Sequence, residues 1–220
     1  MRLWSNSFRD RGRIPAEYAF AAIDPEQHVR PAGNRNPHLA WDDVPAGTES
    51  LALFCIDVDA PLDARHGNRV GLRLPINQLR ADFYHWSLLD VPPSRSRIDD
   101  GELSCAVTPR GKRAARIVVG ANSQMAPLRQ GLNDYTAWFA TDASMAGDYY
   151  GYDGPAPPWN DERIHHYIFR LYALDVVRPA LPPRFTGAQA RAALHGHIVD
   201  EAQLVGAYSL NPALAATLKK

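Results

Sequence analysis

The sequence predicts a mainly β protein, an antiparallel β-sandwich with peripheral helices. Short apolar runs punctuated by Pro and Gly recur along the chain, and a single segment carries a clear helical signal. The 18 prolines and 15 glycines are scattered without a period, which marks a loop-rich β protein rather than a fibrous or disordered one. A length of 220 residues suits one sandwich, so a single domain over 1–220 is expected.

The first strand expected near the chemistry covers residues 50–58, an apolar run bounded by Pro45-Ala46-Gly47 and Ala60-Pro61 and buried on both faces. A second covers 84–90 and ends at Pro92-Pro93. Between them, 62–82 lacks periodicity and reads as a long excursion, the lid of whatever the site holds. Arg116 to Gly120 is a shorter strand candidate. The stretch after it is rich in Gly, Asn, Asp and Ser, yet Tyr135, Trp138, Phe139, Tyr149, Tyr150 and Tyr152 argue that it is ordered. Ile164 to Val176 is the clearest strand. Alternation puts His165, Tyr167, Phe169, Leu171 and Ala173 on one face and His166, Ile168, Arg170, Tyr172 and Leu174 on the other.

Thr186 with Gln189 forms a capping-box pattern, and Ala190, Ala193, Leu194, His197, Ile198 and Ala202 follow at helical spacing, which predicts a helix with Gly196 inside it and His197 as a satisfied core residue. A last short strand, Val205 to Leu210, is expected to return to the sheet.

The 24 basic residues balance the 24 acidic ones, so neither nucleic acid nor an anionic membrane is an expected partner. Cys55 sits in an apolar run and reads as a buried, reduced thiol. With Cys105 it makes no disulfide framework. The N-terminus lacks an apolar signal-peptide core, and no apolar stretch approaches the roughly 20 residues that span a bilayer, so a cytoplasmic location without membrane insertion is expected. HExxH, CxxC, P-loop, GxSxG and dinucleotide motifs are all missing, and the chain is expected to be neither an enzyme nor a holder of metal or cofactor.

The chemistry gathers in three pieces: Asp57-Val58-Asp59-Ala60-Pro61 at a strand end, Asp82-Phe83-Tyr84-His85-Trp86, and Gly154 to Pro158 leading to Ile164-His165-His166-Tyr167. Period-two alternation places Asp57 and Asp59 on one side. Asp57 makes chemical sense as the partner of a histidine, since a bare carboxylate repels an anion. His85, His165 and the rigid Pro157-Pro158 step form a rim able to grip a phosphate or carboxylate through imidazole and amide N–H groups. His166 faces away and reads as structural.

In their order these pieces resemble the phosphatidylethanolamine-binding protein family, in its bacterial Raf-kinase-inhibitor-like branch. The resemblance also runs through Ile14-Pro15 with Tyr18, Asn36 to Trp41, Pro45 to Thr48, Gly151 to Pro158 and Gly196-His197-Ile198. It implies a large antiparallel β-sandwich with a small anion pocket built from Asp57, Asp59, Pro61, His85, Ala156, Pro157, Pro158, His165 and Tyr167. The chain departs from the family's pattern at Val58, at Asn36-Pro37, at His166 where arginine is usual, and at Trp159-Asn160-Asp161, which replaces a glycine and puts a bulky ring at the expected pocket mouth. A cis Ala60–Pro61 bond is expected on both grounds, the sharp turn and the resemblance.

Three functions stand open on this reading. The first is a non-enzymatic binding module for a small anionic ligand, a phospholipid head group included, that regulates a protein partner. The second is a kinase or protease inhibitor acting through surface loops, and the third a hydrolase or metalloenzyme using Asp57, His85 and His165. Oligomeric state is open, a homodimer included.

Overall fold

The computed structural model describes residues 1–113, 116–117 and 127–219. In chain order its strands are β1 (Arg2–Trp4), β2 (Gly12–Arg13), β3 (Ala21–Asp24), β4 (His28–Pro31), β5 (Leu39–Asp42), β6 (Ser50–Pro61), β7 (Arg80–Val91), β8 (Arg97–Ile98), β9 (Arg116–Ile117), β10 (Leu128–Gln130), β11 (His165–Leu174) and β12 (Ile198–Tyr208). Among the described residues three short α-helices accompany them, α1 (Tyr135–Trp138), α2 (Gly187–Ala193) and α3 (Pro212–Ala215), with one 3-10 turn at Ala16–Tyr18.

Seven strands form the main sheet in the order β2-β12-β11-β6-β7-β10-β9, antiparallel at every pairing except that of β2 with β12. A second sheet, β1-β5-β8, covers one face, and the β3-β4 hairpin stands apart from both. The main core lies between the two sheets: Leu51, Leu53 and Cys55 from β6 meet Leu3, Leu39, Trp41 and Ile98 from the smaller sheet. The other face of β6, with Ala52, Phe54 and Ile56, packs beneath α2 through Ala190 and Leu194. Burial of both faces explains why β6 reads as an unbroken apolar run rather than an alternation. The expected sandwich is therefore observed, with a helix over its second face.

Strand β11 follows the predicted alternation, its His165, Tyr167 and Phe169 buried while His166 is exposed. Both central strands outrun their expected limits: β6 continues to Pro61, and β7 begins at Arg80, inside the predicted excursion. Of the strand expected over 116–120, Arg116–Ile117 is β9, and 118–120 lie outside the described residues.

The helix prediction is corrected. The Thr186–Gln189 capping box is present, but α2 ends at Ala193, because Gly196 turns the chain through a left-handed conformation (φ +85°) and β12 starts at Ile198. Ile198 and Ala202 thus belong to a long edge-side strand, and their helical spacing is incidental. His197 is half-exposed and bonds Asp175 Oδ1 through Nδ1 at 2.9 Å instead of filling the core. The expected cis Ala60–Pro61 bond is also corrected: no cis peptide occurs among the described residues. There the sharp change of direction comes from a bulge between Asp57 and Ala60. No helix among the described residues is long and apolar enough to cross a membrane.

Candidate functional site

Strand β6 lies between β7 and β11, and its register sets Asp57 opposite Phe83 on one side and Tyr167 on the other. His85 follows Phe83 by two residues and His165 precedes Tyr167 by two, so alternation turns both histidines toward the face of Asp57. All five line one cavity together with Ala60 and Pro61, and the Ala156-Pro157-Pro158 loop closes a wall of it. Asp57, His85 and His165 are buried. The cavity volume is about 30 Å³. Pockets that swallow a whole small molecule run to about 300–1,000 Å³, so this one is sized for a terminal group.

His165 is held at both ring nitrogens. Nδ1 lies 2.6 Å from Asp57 Oδ2 and Nε2 lies 3.1 Å from Asp161 Oδ2. Burial disfavours charge on this ring, but the attraction of Asp57 and the hydrogen bonds to Asp161 and Asp57 outweigh it and raise its pKa to about 9. The ring is therefore an imidazolium at neutral pH, donating to both carboxylates. Asp161 is gripped in turn by Arg80, with Nη1 to Oδ2 at 2.6 Å and Nη2 to Oδ1 at 3.0 Å. Burial works against its charge, yet His165 and Arg80 hold its pKa below the ordinary carboxylate value. One consequence differs from the sequence reading: His165 has no N–H to spare for a ligand.

His85 is set differently. Its Nδ1–H donates to the Asp153 carbonyl at 2.7 Å, and Nε2 makes no hydrogen bond among the described residues. Phe83, Tyr135 and Tyr167 pack around the ring at centroid distances of 4.9, 5.4 and 5.1 Å. That burial pushes its pKa below the usual value despite Asp57, so the ring is neutral and Nε2 carries a lone pair at the cavity. Tyr167 supplies the complementary group. Its buried hydroxyl makes no hydrogen bond of normal geometry, although Asp57 stands close enough to attract its proton, and burial, reinforced by the charge of Asp57, raises its pKa well above the ordinary value. The cavity thus presents one unused O–H donor, one nitrogen able to accept or, once protonated, to donate, and a carboxylate.

Asp59 does not line the cavity. The bulge after Asp57 turns it to the opposite side, where Oδ2 accepts from the His166 backbone N–H at 3.0 Å and from its Nδ1 at 2.8 Å, and Oδ1 accepts from Arg163 at 3.1 Å. His166 occupies the outward face as predicted, its pKa raised by the hydrogen bond to Asp59. Trp159, expected at the mouth, stacks instead on His28 with centroids 3.9 Å apart and planes within 10°. It therefore does not narrow the cavity.

Beneath the proline loop lies a buried polar cluster that the sequence reading missed. Asp153 accepts from Asn34 at 2.6 Å, Asn133 at 2.8 Å and Lys112 at 3.0 Å, and its carbonyl fixes His85. Gly154 carries the chain so close to Tyr18 that a Cβ there would sit 2.0 Å from the Tyr18 carbonyl oxygen. The sequence reading also missed Asp161, Arg80 and the cavity-lining Tyr135 and Trp138. One signal for Asp161 was available, its place four residues before His165 on the segment entering β11, but nothing local announces Arg80 as its partner.

Among the described residues no group of three or more His, Cys, Asp or Glu side chains is arranged to hold a metal ion. At the cavity the reason is chemical: both nitrogens of His165 are committed to carboxylates. Cys55, two residues inward from Asp57, is buried, and burial pushes its thiol pKa well above the ordinary value.

Comparison with known proteins places this site in a wider context. Residues 4–209 match the family described as phosphatidylethanolamine-binding protein. A UPF0098 protein of Methanothermobacter thermautotrophicus is 31% identical over 208 residues, covering 94% of this chain and 98% of the relative. The UPF0098 protein YbhB of Escherichia coli is 28% identical over 95% of this chain and 100% of its own length. Among solved structures, Escherichia coli YbcL, described as a new member of the mammalian PEBP family, superposes with a TM-score of 0.63 at 22% identity, over 94% of this chain and 97% of that one. With a profile match over nearly its whole length and relatives aligned from end to end, the chain belongs to the phosphatidylethanolamine-binding protein family.

Proposed function

We propose that the chain is a non-enzymatic binding module whose cavity takes a small anionic group, a phosphate, a carboxylate or a phospholipid head group, and that occupancy regulates a partner protein. The observation that carries this reading is the Tyr167 hydroxyl, buried at the cavity without a hydrogen bond of normal geometry, Asp57 being the acceptor a ligand must displace. A buried hydroxyl left unpaired costs about 1–3 kcal/mol, which an oxyanion accepting from it recovers. His85 Nε2, once protonated, is the second donor, and the small cavity volume selects a terminal oxyanion. Among the described residues no Ser or Cys side chain lines the cavity, and the nearby Cys55 thiol is sealed behind the strand, which supports the non-enzymatic reading. Calorimetric titration with phosphate, sulfate, acetate and phosphoethanolamine tests it. At least one should bind, and Tyr167→Phe should weaken that binding about tenfold. Equal affinity in the two proteins, or no binding by any of the four, would overturn the reading.

A second reading, inhibition of a kinase or protease through surface loops, is favoured by one observation. The 62–79 excursion carries Leu62, Val70, Ile76 and Leu79 at 64, 80, 58 and 73% exposure beside the cavity's proline loop. Exposed apolar side chains gathered in one segment mark contact surfaces. Loss of partner inhibition on replacing Val70 and Leu79 by Ser, with anion binding intact, would separate this reading from the first.

A further inference from the structure

A second and larger cavity, of about 700 Å³, opens along the N-terminal segment, with Phe8, Arg9, Arg13 and Pro15 in its lining. Its volume falls within the range of small-molecule sites. The lining is held rigidly. Phe8 is buried with its ring 5.6 Å from Phe169 of β11, the Arg9 carbonyl accepts from Gly12 N–H at 2.9 Å, and Arg13 is paired to Ala207 in β12. Arg13 N–H donates to the Lys219 carbonyl at 2.9 Å, which brings the C-terminal end of the chain to the same place.

Most of its arginines face a carboxylate, as Arg2, Arg35, Arg73 and Arg95 do. Among the described residues, the side chains of Arg9 and Arg13, like those of Arg30, Arg69, Arg110 and Arg113, form neither an ion pair nor a hydrogen bond, but Arg9 and Arg13 share one cavity. Arg30 adds to the positive field, since it and Arg13 both act on the Tyr208 hydroxyl against the effect of its burial. The nearest acid in sequence, Asp10, is turned to the Val205 N–H at 2.9 Å and to Arg11. Two guanidiniums carried on a fixed backbone beside an aromatic and a proline offer forked donors for an oxyanion and a surface for an apolar body.

We propose that this groove is a second binding site, for an organic anion whose carboxylate or phosphate is gripped by Arg9 and Arg13 while its apolar part lies over Phe8 and Pro15. The inference does not depend on occupancy of the Asp57–His85–His165 cavity. Titration of the full chain with phenyl phosphate, benzoate and inorganic phosphate tests it, alongside Arg9→Ala, Arg13→Ala and, as a charge-matched control, Arg184→Ala. Phenyl phosphate or benzoate is expected to bind more tightly than inorganic phosphate, the stronger of the two identifying the anion type. Each groove substitution should weaken that binding about tenfold, the loss of one charge-assisted donor pair, and the control should leave it unchanged. An NMR shift of the Arg13 Nε–H signal on addition of the same probe should mark the site. Affinity unchanged in both groove variants, or lowered equally by Arg184→Ala, would overturn the proposal, as would no binding of either aromatic anion, or a response of the Arg13 Nε–H signal to inorganic phosphate at concentrations as low as those of the aromatic anions.

Discussion

The imidazolium of His165 lies 2.6 Å from the carboxylate of Asp57, joining residues 108 positions apart in sequence. Removing one member leaves the other buried and unpaired, and such losses cost about 3–5 kcal/mol. His165→Ala is therefore expected to lose stability on that scale in urea unfolding. Asp57→Asn with His165→Ala should lose less than the sum of the single changes, because the two share one interaction. Strict additivity would show that the pair is not coupled.

Stability should also depend on pH in a way that identifies each group. His165 has a folded pKa of about 9, above its unfolded value near 6.5, so its contribution, about 3 kcal/mol, is fully present below 6.5 and lost as pH rises through 9. Asp59 and Asp161 have lowered values, so their contributions are present above the unfolded carboxylate pKa and lost as pH falls through the folded one. His85, buried neutral, removes stability as pH falls below 6.5. The melting temperature should thus be highest near pH 6.5 and decline from there toward pH 9. His165→Gln should remove most of the alkaline decline, the remainder coming from His166, and a variant that keeps the full decline would show that another group is responsible.

Sulfate keeps its charge across this range, so its affinity reports the protein alone. Since His165 stays protonated with both N–H groups engaged, His85 is the ring whose protonation should govern binding. Sulfate affinity should rise as pH falls below 6.5, and His85→Ala should erase the pH dependence while His166→Ala leaves it. Identical titration profiles for the two variants would remove His85 from the site.

Gly154→Ala should be destabilising well beyond a typical surface change, because the new methyl group meets the Tyr18 carbonyl, which also accepts from the Tyr152 hydroxyl at 2.7 Å. A loss above about 2 kcal/mol is expected, with weakened anion binding from displacement of the adjoining proline loop. Chemical denaturation checks the first and calorimetry the second.

Asn160 fastens the 62–79 excursion to the proline loop. Its Nδ2 reaches the carbonyls of His66, Arg69 and Leu72 at 2.8, 3.3 and 3.0 Å, and its Oδ1 accepts from Asn68 N–H at 2.8 Å. Asn160→Ala should leave those groups unpaired and raise amide hydrogen exchange across 64–74, while protection of β6 and β11 persists. Unchanged exchange in that segment would show that the excursion is held by other contacts.

The strands that build the site were legible because their apolar runs are bounded by proline and glycine, and β11 because its two faces differ. Pairing of Asp57 with a histidine followed from charge alone, since an acid at an anion site needs a cation beside it. Placement of Asp59 failed because alternation assumes a regular strand, and the bulge that breaks it depends on what β7 offers across the sheet. The length of α2 was misjudged for a related reason: Gly196 fits a helix interior and a left-handed stop equally well by composition, and only the long strand pairing of β12 with β11 decides. Arg80, Asp153 and Lys112 escaped because a buried ionic partner is chosen in three dimensions, with no local spacing to betray it.

The row Asp57, His165, Asp161, Arg80 alternates in sign and sums to zero. Such a row casts little field beyond its own length, so it cannot draw an anion from a distance as a cluster of unpaired cations does. On the proposed function, a ligand would reach this cavity by unguided diffusion, and its capture rate should be nearly indifferent to ionic strength. Discrimination between ligands then resides in how long each remains.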